Sequence, residues 1–469
     1  MPSTQLAVIG AGPGGYTAAF RAADLGLAVT VIDENLSLGG VCLNRGCIPS
    51  KALLHAARVI QEAGDASHIG IEFAAPAIDI DKLRAWKDGI VTRLTTGLVQ
   101  LAKVRKVTLI QGRAKFLGPK QLQIVTPDGA TVLLDADKVI LATGSRPVTL
   151  PFLPVSTRVW DSTTALALPC VPASLLVIGG GYIGLELGTV YAALGSKVTV
   201  VEALPALLSS ADKDLADIVT RRLRKTFARI MCATRVSAAE EAPEGIRVTF
   251  QDDKGASTQE TFTHILSSVG RAPNTAGLGL DTTSIVLTDK GTINVDSQRR
   301  TEEADIFAIG DITAGPMLAH KASFEGKVAA DVAAGYAASF EPRSIPNVVF
   351  TDPELAWCGM TEQEARGKGL DIKAFKFPWA ASGRAMTLGR TDGMTKIIAD
   401  TRTARILGVG IAGVNAGELI AQGALAIETG MKAEDLEQTI QPHPTLSETL
   451  METAEGLFGQ PIHIFKEKA

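Results

Sequence analysis

Two cysteines, Cys42 and Cys47, stand five positions apart in the run Gly39-Gly40-Val41-Cys42-Leu43-Asn44-Arg45-Gly46-Cys47-Ile48-Pro49-Ser50-Lys51. Five positions are a little more than one helical turn, so modest distortion lets the two sulfurs meet. A disulfide closing so small a loop adds little stability through loop entropy, which favours thiol–disulfide exchange over scaffolding. A thiolate near a helix N-terminus is stabilised, and Lys51 adds a positive charge. Exchange also needs a base to take the proton of an incoming thiol. Among the six histidines, His443 lies between Pro442 and Pro444, which hold its backbone, and Glu448 follows where a carboxylate can orient the imidazole. The plain alternatives are a packed loop histidine and two unrelated buried thiols.

The elements that position these groups begin with a buried strand over 6–9, the turn Gly10-Ala11-Gly12-Pro13-Gly14-Gly15, a helix over 16–25 and a second strand over 28–32 ending at Asp33-Glu34. The plan recurs with a strand over 175–178, the turn Gly179-Gly180-Gly181-Tyr182-Ile183-Gly184, a helix over 185–194 and a strand over 197–201 closed by Glu202. In each copy the carboxylate follows the first glycine by 23 positions, Gly10 to Asp33 and Gly179 to Glu202. Two copies with one spacing predict two dinucleotide-binding folds. Gly10, Gly12 and Gly15 in the first, with Gly179, Gly181 and Gly184 in the second, let the backbone bend and approach a pyrophosphate at a helix N-terminus. Asp33 and Glu202 suit a ribose with a free 2′-hydroxyl and repel a 2′-phosphate. Ala203-Leu204-Pro205 offers no arginine for such a phosphate, so the second site favours NAD over NADP.

The remaining elements are a helix around 81–103, β-rich stretches over 107–134 and after Gly270, and a strand over 306–309 ending at Gly310-Asp311. A proline-rich connection over 341–346 opens a last segment of strands and helices without a nucleotide fingerprint.

The 469 residues suit two to four domains, and a formal net charge of −4 without a basic run disfavours nucleic-acid binding. No stretch reaches the roughly 20 apolar residues of a membrane span. The start of the chain lacks a charged or Arg-rich leader, so a cytoplasmic location is expected. Cys170, Cys232 and Cys358 are scattered and read as buried thiols.

The C-x4-C-I-P-S-K run resembles that of the pyridine nucleotide–disulfide oxidoreductases, in particular the members that oxidise dihydrolipoamide, and the likeness covers nearly the whole chain. The resemblance implies an α/β protein with two Rossmann-like domains and a C-terminal α+β dimerisation domain. Its domains fall at 1–148 (FAD-binding), 149–270 (NAD-binding), 271–342 (completing the FAD site) and 343–469 (interface). It assigns FAD to the first fold, because Ala142-Thr143-Gly144-Ser145-Arg146-Pro147 and the segment ending at Asp311 are similar to the family's flavin-side motifs. On that side it implies Glu34, Gly40, Lys51, Ala114, Thr143, Gly144, Ser145, Asp311 and Met317-Leu318-Ala319-His320. On the NAD side it adds Tyr182, Ile183, Glu186, Val236, Gly270 and Arg271. Cys42 is then the cysteine that exchanges with substrate, and Cys47 the one that meets the flavin. His443 with Glu448 is the base that reaches the other subunit's cysteines, which requires a homodimer.

The implied activity is oxidation of protein-bound dihydrolipoamide to lipoamide, with electrons passing through the disulfide and FAD to NAD. The implied partner is a separate lipoyl-bearing acyltransferase of a 2-oxoacid dehydrogenase complex, or the lipoyl carrier of glycine cleavage. Four positions depart from the family's habit: Gln441 where a second histidine is usual, Arg45 between the cysteines, Asp33 for glutamate, and Ala114 for glycine.

Overall fold

The apolar run at the start of the chain forms β1 (Ser3–Ile9), in which Leu6, Ala7 and Val8 are fully buried. A strand covered on both faces belongs in the middle of a parallel sheet, and burying a side chain the size of Leu6 or Val8 contributes about 1.5–3 kcal/mol. The computed structural model describes residues 2–35 and 37–465. After β1 come α1 (Pro13–Asp24) and β2 (Val29–Asp33). The helix starts three residues earlier than the glycine spacing predicts, because Pro13 needs no N–H in the first turn.

Two helices, α2 (Gly40–Arg45) and α3 (Cys47–Asp65), meet at Gly46, and α4 (Ile80–Val104) follows with Asp79 capping it through the Lys82 N–H at 3.0 Å. Then come β3 (Thr108–Gln111), β4 (Arg113–Gly118), β5 (Gln121–Val125) and β6 (Thr131–Leu141). β2 and β6 flank β1 in parallel, with Leu6 opposite Val29 and Ile9 opposite Leu141. The strand Ile306–Ala308 returns from far along the chain to pair with β6.

The second copy of the plan folds the same way. The strands Ser174–Ile178 and Lys197–Val201 pair in parallel, and the helix Tyr182–Ala193 links them. A three-stranded antiparallel sheet, Thr234–Ala242, Gly245–Asp252 and Ser257–Phe262, follows. The last segment is an antiparallel sheet, with Met394–Asp400 beside Ile406–Gly413, packed with the helices Ala416–Thr429 and Glu448–Phe458.

The β-rich stretch expected after Gly270 is shorter than its composition predicts. Only Arg271–Pro273 and isolated bridges such as Leu287 with Ile293 form before Ile306. Side chains there take over backbone groups: Asp296 accepts from the N–H groups of Gln298 and Arg300, and the Thr288 and Thr292 hydroxyls pair at 2.8 Å. Elsewhere one core joins the parts, since Leu53 and Leu54 of α3 pack in the same cluster as Leu185, Tyr191, Val349, Leu355 and Ala412. No helix among the described residues is long and apolar enough to cross a membrane.

Candidate active site

Cys42 and Cys47 are joined in a disulfide, with Cα atoms 4.8 Å apart. Their approach depends on Gly46, where a Cβ would stand 2.9 Å from the Val41 carbonyl oxygen and 3.2 Å from Cys42 Cα. Gly40, at φ +56°, brings α2 against the first glycine turn, and a Cβ there would lie 2.5 Å from Gly12 Cα. Packing therefore seats the cystine on the first nucleotide turn. Cys358, by contrast, is buried, which pushes its thiol up to about 12, and burial also raises Cys170 and Cys232. Cys358 is an unreactive thiol, whereas Cys232 is only half-buried and Cys170 is exposed, contrary to the expectation that all three are buried.

A cavity of about 660 Å³ runs over this surface and includes both cysteines, Lys51, Gly12, Asp33 and Asp311 in its walls. Of the residues assigned to the flavin side, Gly10, Glu34, Gly40, Ala114, Thr143, Gly144, Ser145, Met317 and Ala319 also line it. Gly15, Leu318 and His320 do not. Gly15 packs on the Gly10 carbonyl, leaving no room for a Cβ, and His320 Nε2 lies 2.8 Å from the Pro346 carbonyl oxygen.

The residues present fit a dinucleotide. A Cβ on Gly12 would meet nothing within 4 Å, so the turn stays open toward the cavity where α1 begins. Asp33 Oδ2 accepts from the Ala11 N–H at 2.7 Å, which fixes the carboxylate beside the turn. At the far end Ser145 donates to Asp311 at 2.5 Å, and the Arg271 guanidinium donates to Ser145 Oγ at 2.7 Å and to its carbonyl at 2.6 Å. Asn274 clamps the neighbouring loop by donating to the Thr143 carbonyl and accepting, through its own carbonyl, from the Thr143 hydroxyl. Nothing in its sequence context marks Asn274.

Glu186 connects the two folds. Its buried carboxylate accepts from Lys51 Nζ at 2.8 Å and Ser50 Oγ at 3.0 Å through Oε2, and from the Phe350 N–H at 3.0 Å through Oε1. Lys51 also lies over the Phe350 ring, 4.4 Å from its centre. Three charge-assisted contacts satisfy a carboxylate that would otherwise be costly to bury. The sequence pointed to Glu186 and Lys51 separately; Ser50 sits inside the cysteine motif, and Phe350 carries no signal because its backbone acts.

The second glycine turn mirrors the first. Glu202 Oε2 accepts from the Gly180 N–H at 2.6 Å and Oε1 from the Leu204 N–H at 2.8 Å. Gly179, at φ +109°, and Gly184 are tightly packed, and Gly181 is open. The glycines of this turn and Glu202 lie outside the 660 Å³ cavity, and of the NAD-side residues Tyr182, Ile183, Glu186 and Arg271 line it. Val236 is buried in the core with Leu176 and Val201, so its side chain does not face the cavity, and Gly270 adopts φ +122° outside it.

His443 does not line the cavity of its own chain. It lies on the loop before the last helix with its side chain 80% exposed, and its Nδ1 is 2.8 Å from Glu448 Oε1. Glu448 Oε2 accepts from the Thr445 N–H at 2.8 Å. Partial burial pulls the Glu448 carboxyl upward, but Thr445 and His443 together hold it below the usual carboxylate range. The pair leaves Nε2 as the atom free to accept a proton. Among the described residues no group of histidine, cysteine or acidic side chains could hold a metal ion.

Comparison with known proteins agrees with this geometry. The chain matches the family "Pyridine nucleotide-disulphide oxidoreductase" over residues 4–326 and its "dimerisation domain" over residues 345–454. It is 46% identical to the dihydrolipoyl dehydrogenase of Vibrio parahaemolyticus over 99% of this chain and 98% of that one. With the dihydrolipoyl dehydrogenase of Geobacillus stearothermophilus the identity is 47% over 98% and 97%. Among solved structures, LpdA from Mycobacterium tuberculosis superposes with a TM-score of 0.89 at 27% identity, covering 98% of this chain and all of that one. The HOCl-induced flavoprotein disulfide reductase RclA from Escherichia coli gives 0.86 at 29% identity, covering 97% of this chain and all of that one. With its cystine on the first glycine turn and a dimerisation domain at its C-terminal end, the chain belongs to the pyridine nucleotide–disulphide oxidoreductase family.

Proposed function

We propose that this protein is a dihydrolipoyl dehydrogenase, a cytoplasmic homodimer that oxidises dihydrolipoamide on a separate lipoyl-bearing protein and reduces NAD. The observation that carries the reading is the Cys42–Cys47 cystine lining the same cavity as the open Gly12 turn, Asp33, Lys51 and Asp311. Near-full-length relatives named dihydrolipoyl dehydrogenase support it.

Residues 1–148 and 271–342 would hold FAD through Gly10, Gly12, Asp33, Thr143 to Ser145 and Asp311. Residues 149–270 would hold NAD through the second glycine turn and Glu202, and residues 343–469 would form the dimer. FAD, when bound, would supply the acceptor for the two electrons of the reduced Cys42–Cys47 pair, and NAD would be their final acceptor.

The protein's own part is exchange. His443 of the partner subunit takes the proton of one substrate thiol, and its Nδ1–Glu448 bond orients the ring and supports the imidazolium. The thiolate attacks Cys42 Sγ, the Cys42–Cys47 bond breaks, and Cys47 leaves with the electron pair as a thiolate. The second substrate thiol then attacks the substrate sulfur joined to Cys42, its proton passing to the departing Cys42 sulfur, so that the lipoamide disulfide forms and Cys42 is released as a thiol. Lys51, anchored by Glu186, keeps a positive charge beside the cavity in which the Cys47 thiolate forms.

The test is anaerobic mixing of holoenzyme and dihydrolipoamide with NAD or NADP, following the absorbance of reduced nicotinamide. Fast reduction of NAD and little of NADP is expected. Bound FAD that dihydrolipoamide leaves oxidised would end the reading.

A further inference from the structure

The chain beyond the last helix folds back onto it. His463 Nδ1 is hydrogen bonded to Glu452 Oε1, and the His463 N–H faces Oε2 at 3.4 Å. The Glu452 side chain is 5% exposed, whereas the imidazole is largely in solvent. Glu452 lies four residues after Glu448 on the helix Glu448–Phe458, so the two carboxylates stack on one face, about 6 Å apart at Cβ. The helix therefore carries two imidazole–carboxylate pairs in succession, and the exchange chemistry uses only the first.

The surroundings leave Glu452 to His463. Glu455, further along the same helix, is pushed up by burial and by the like charge of Glu452, and its Oε2 has no hydrogen-bond partner. Glu437, on the packed helix Ala433–Glu437, is also an acid. On that helix Asp435 accepts from the Lys432 N–H and Glu434 accepts from Gln438. The neighbouring strands offer cations that are engaged elsewhere: Lys373 lies over Phe458, Lys376 pairs with Asp214, and Lys396 with Asp212, Asp214 and Glu362. The hydrogen bond to Glu452, reinforced by its charge, holds His463 above the usual histidine range.

We propose that His463 is a positioning residue for the His443–Glu448 pair, cancelling the charge of Glu452 one helical turn away and thereby setting the proton affinity of His443. The proposal rests on the reading of His443 as the exchange base. In His463→Gln, Glu452 loses its cationic partner, and the added negative potential favours the His443 imidazolium. In Glu452→Gln, the carboxylate is gone and any remaining His463 charge acts in the opposite direction. Removing both restores a neutral neighbourhood. For charges roughly 9 Å apart near a wet surface, the shift at His443 is about 0.5 pH unit.

The experiment measures deuterium exchange at the imidazole C2 carbon of His443 against pH, by mass spectrometry on the holoenzyme dimer and each variant. The exchange midpoint should rise by about 0.5 unit in His463→Gln, not rise in Glu452→Gln, and return to the wild-type value in the double variant. An unchanged midpoint in His463→Gln, or equal rises in both single variants, overturns the proposal. The acid limb of kcat/KM for dihydrolipoamide, measured in parallel, should follow the midpoint. If the midpoints move as expected while dihydrolipoamide is not oxidised, the functional reading fails and the electrostatic link stands.

Discussion

Lys396 fastens the second nucleotide fold to the dimerisation domain, and its replacement by methionine gives a signed prediction. Its ammonium lies 2.8 Å from Glu362 and 3.1 Å from both Asp212 and Asp214, with only 2% of the side chain exposed. Asp212 and Asp214 stand at the start of the helix Lys213–Thr226 in the second fold, and Lys396 comes from the strand Met394–Asp400. Removing one partner of a buried ionic cluster costs about 3–5 kcal/mol. The lower end applies here, because the three carboxylates reach water and Lys376 still pairs with Asp214. With an unfolding entropy of roughly 1 kcal/mol/K for a chain this long, Tm should fall by about 3 °C at neutral pH.

The pH dependence follows from Glu362, whose carboxyl the Lys396 and Arg366 hydrogen bonds hold at about 2 against an ordinary 4.5. A folded-state value below the unfolded one contributes stability above the unfolded value and loses it as pH falls toward the folded one. Lys396 is raised instead, so its contribution is already complete below the usual lysine range and does not shape the acid side. The variant lacks most of the stabilisation that acid removes from wild type, so its Tm deficit should shrink between about pH 7 and about pH 4. Differential scanning calorimetry of both holoenzymes at the two pH values decides. A deficit that is the same at both, or below about 1 °C at neutral pH, refutes the reasoning.

Three further outcomes bear on the chemistry. His443→Gln should lower turnover with dihydrolipoamide by about 10²–10⁴-fold while bound flavin stays constant, measured by steady-state kinetics and the flavin spectrum; near-normal turnover would remove His443 as the base. Cys42→Ser breaks the cystine, so anaerobic reductive titration should take up two fewer electrons per subunit than wild type; equal uptake would place the redox disulfide elsewhere. Glu202→Gln keeps the Gly180 contact possible but removes the charge, so KM for NAD should rise and discrimination against NADP should weaken, with kcat nearly unchanged. An unaltered NAD to NADP ratio of kcat/KM would show that Glu202 does not meet the ribose.

Much of this site was legible because its parts are local. The two glycine turns each occupy a few consecutive residues, and the equal spacing from Gly10 to Asp33 and from Gly179 to Glu202 repeats in the structure as the same carboxylate-to-turn hydrogen bond. Cys42, Cys47 and the His443–Glu448 pair are likewise short-range. What escaped depends on distant backbone. Glu186 is held by the Phe350 N–H, 164 positions away, and a donor that any residue could supply leaves no trace in composition. Asn274 reaches Thr143 across 131 positions. The side chain of Val236, a strand residue assigned to a nucleotide site, packs inward with Leu176 and Val201, which leaves its backbone as the part that could meet a nucleotide. The stretch after Gly270 has β-type composition, but its threonines and Asp296 divert the hydrogen bonds that a ladder requires.

The same long-range contacts bear on how one cavity serves two nucleotide folds. The carboxylate of Glu186 belongs to the second fold, its partners Ser50 and Lys51 to α3 of the first, and Phe350 to the segment opening the dimerisation domain. None of the three can move independently without leaving a buried charge unpaired, a cost of several kcal/mol. Farther out, Arg222 of the second fold pairs with Asp65 at the end of α3 and with Asp352, which also binds Arg390. Lys396 adds a third fastening. In the function proposed above, passage of electrons from the reduced cysteine pair toward a nicotinamide on the second fold would demand a fixed separation between domains, and displacement by an ångström can cost about 10²-fold in rate. Buried ion pairs are a weak source of net stability, but each tolerates only a narrow geometry. Their concentration where the domains meet is therefore better explained by the need to hold that separation than by the need to keep the chain folded.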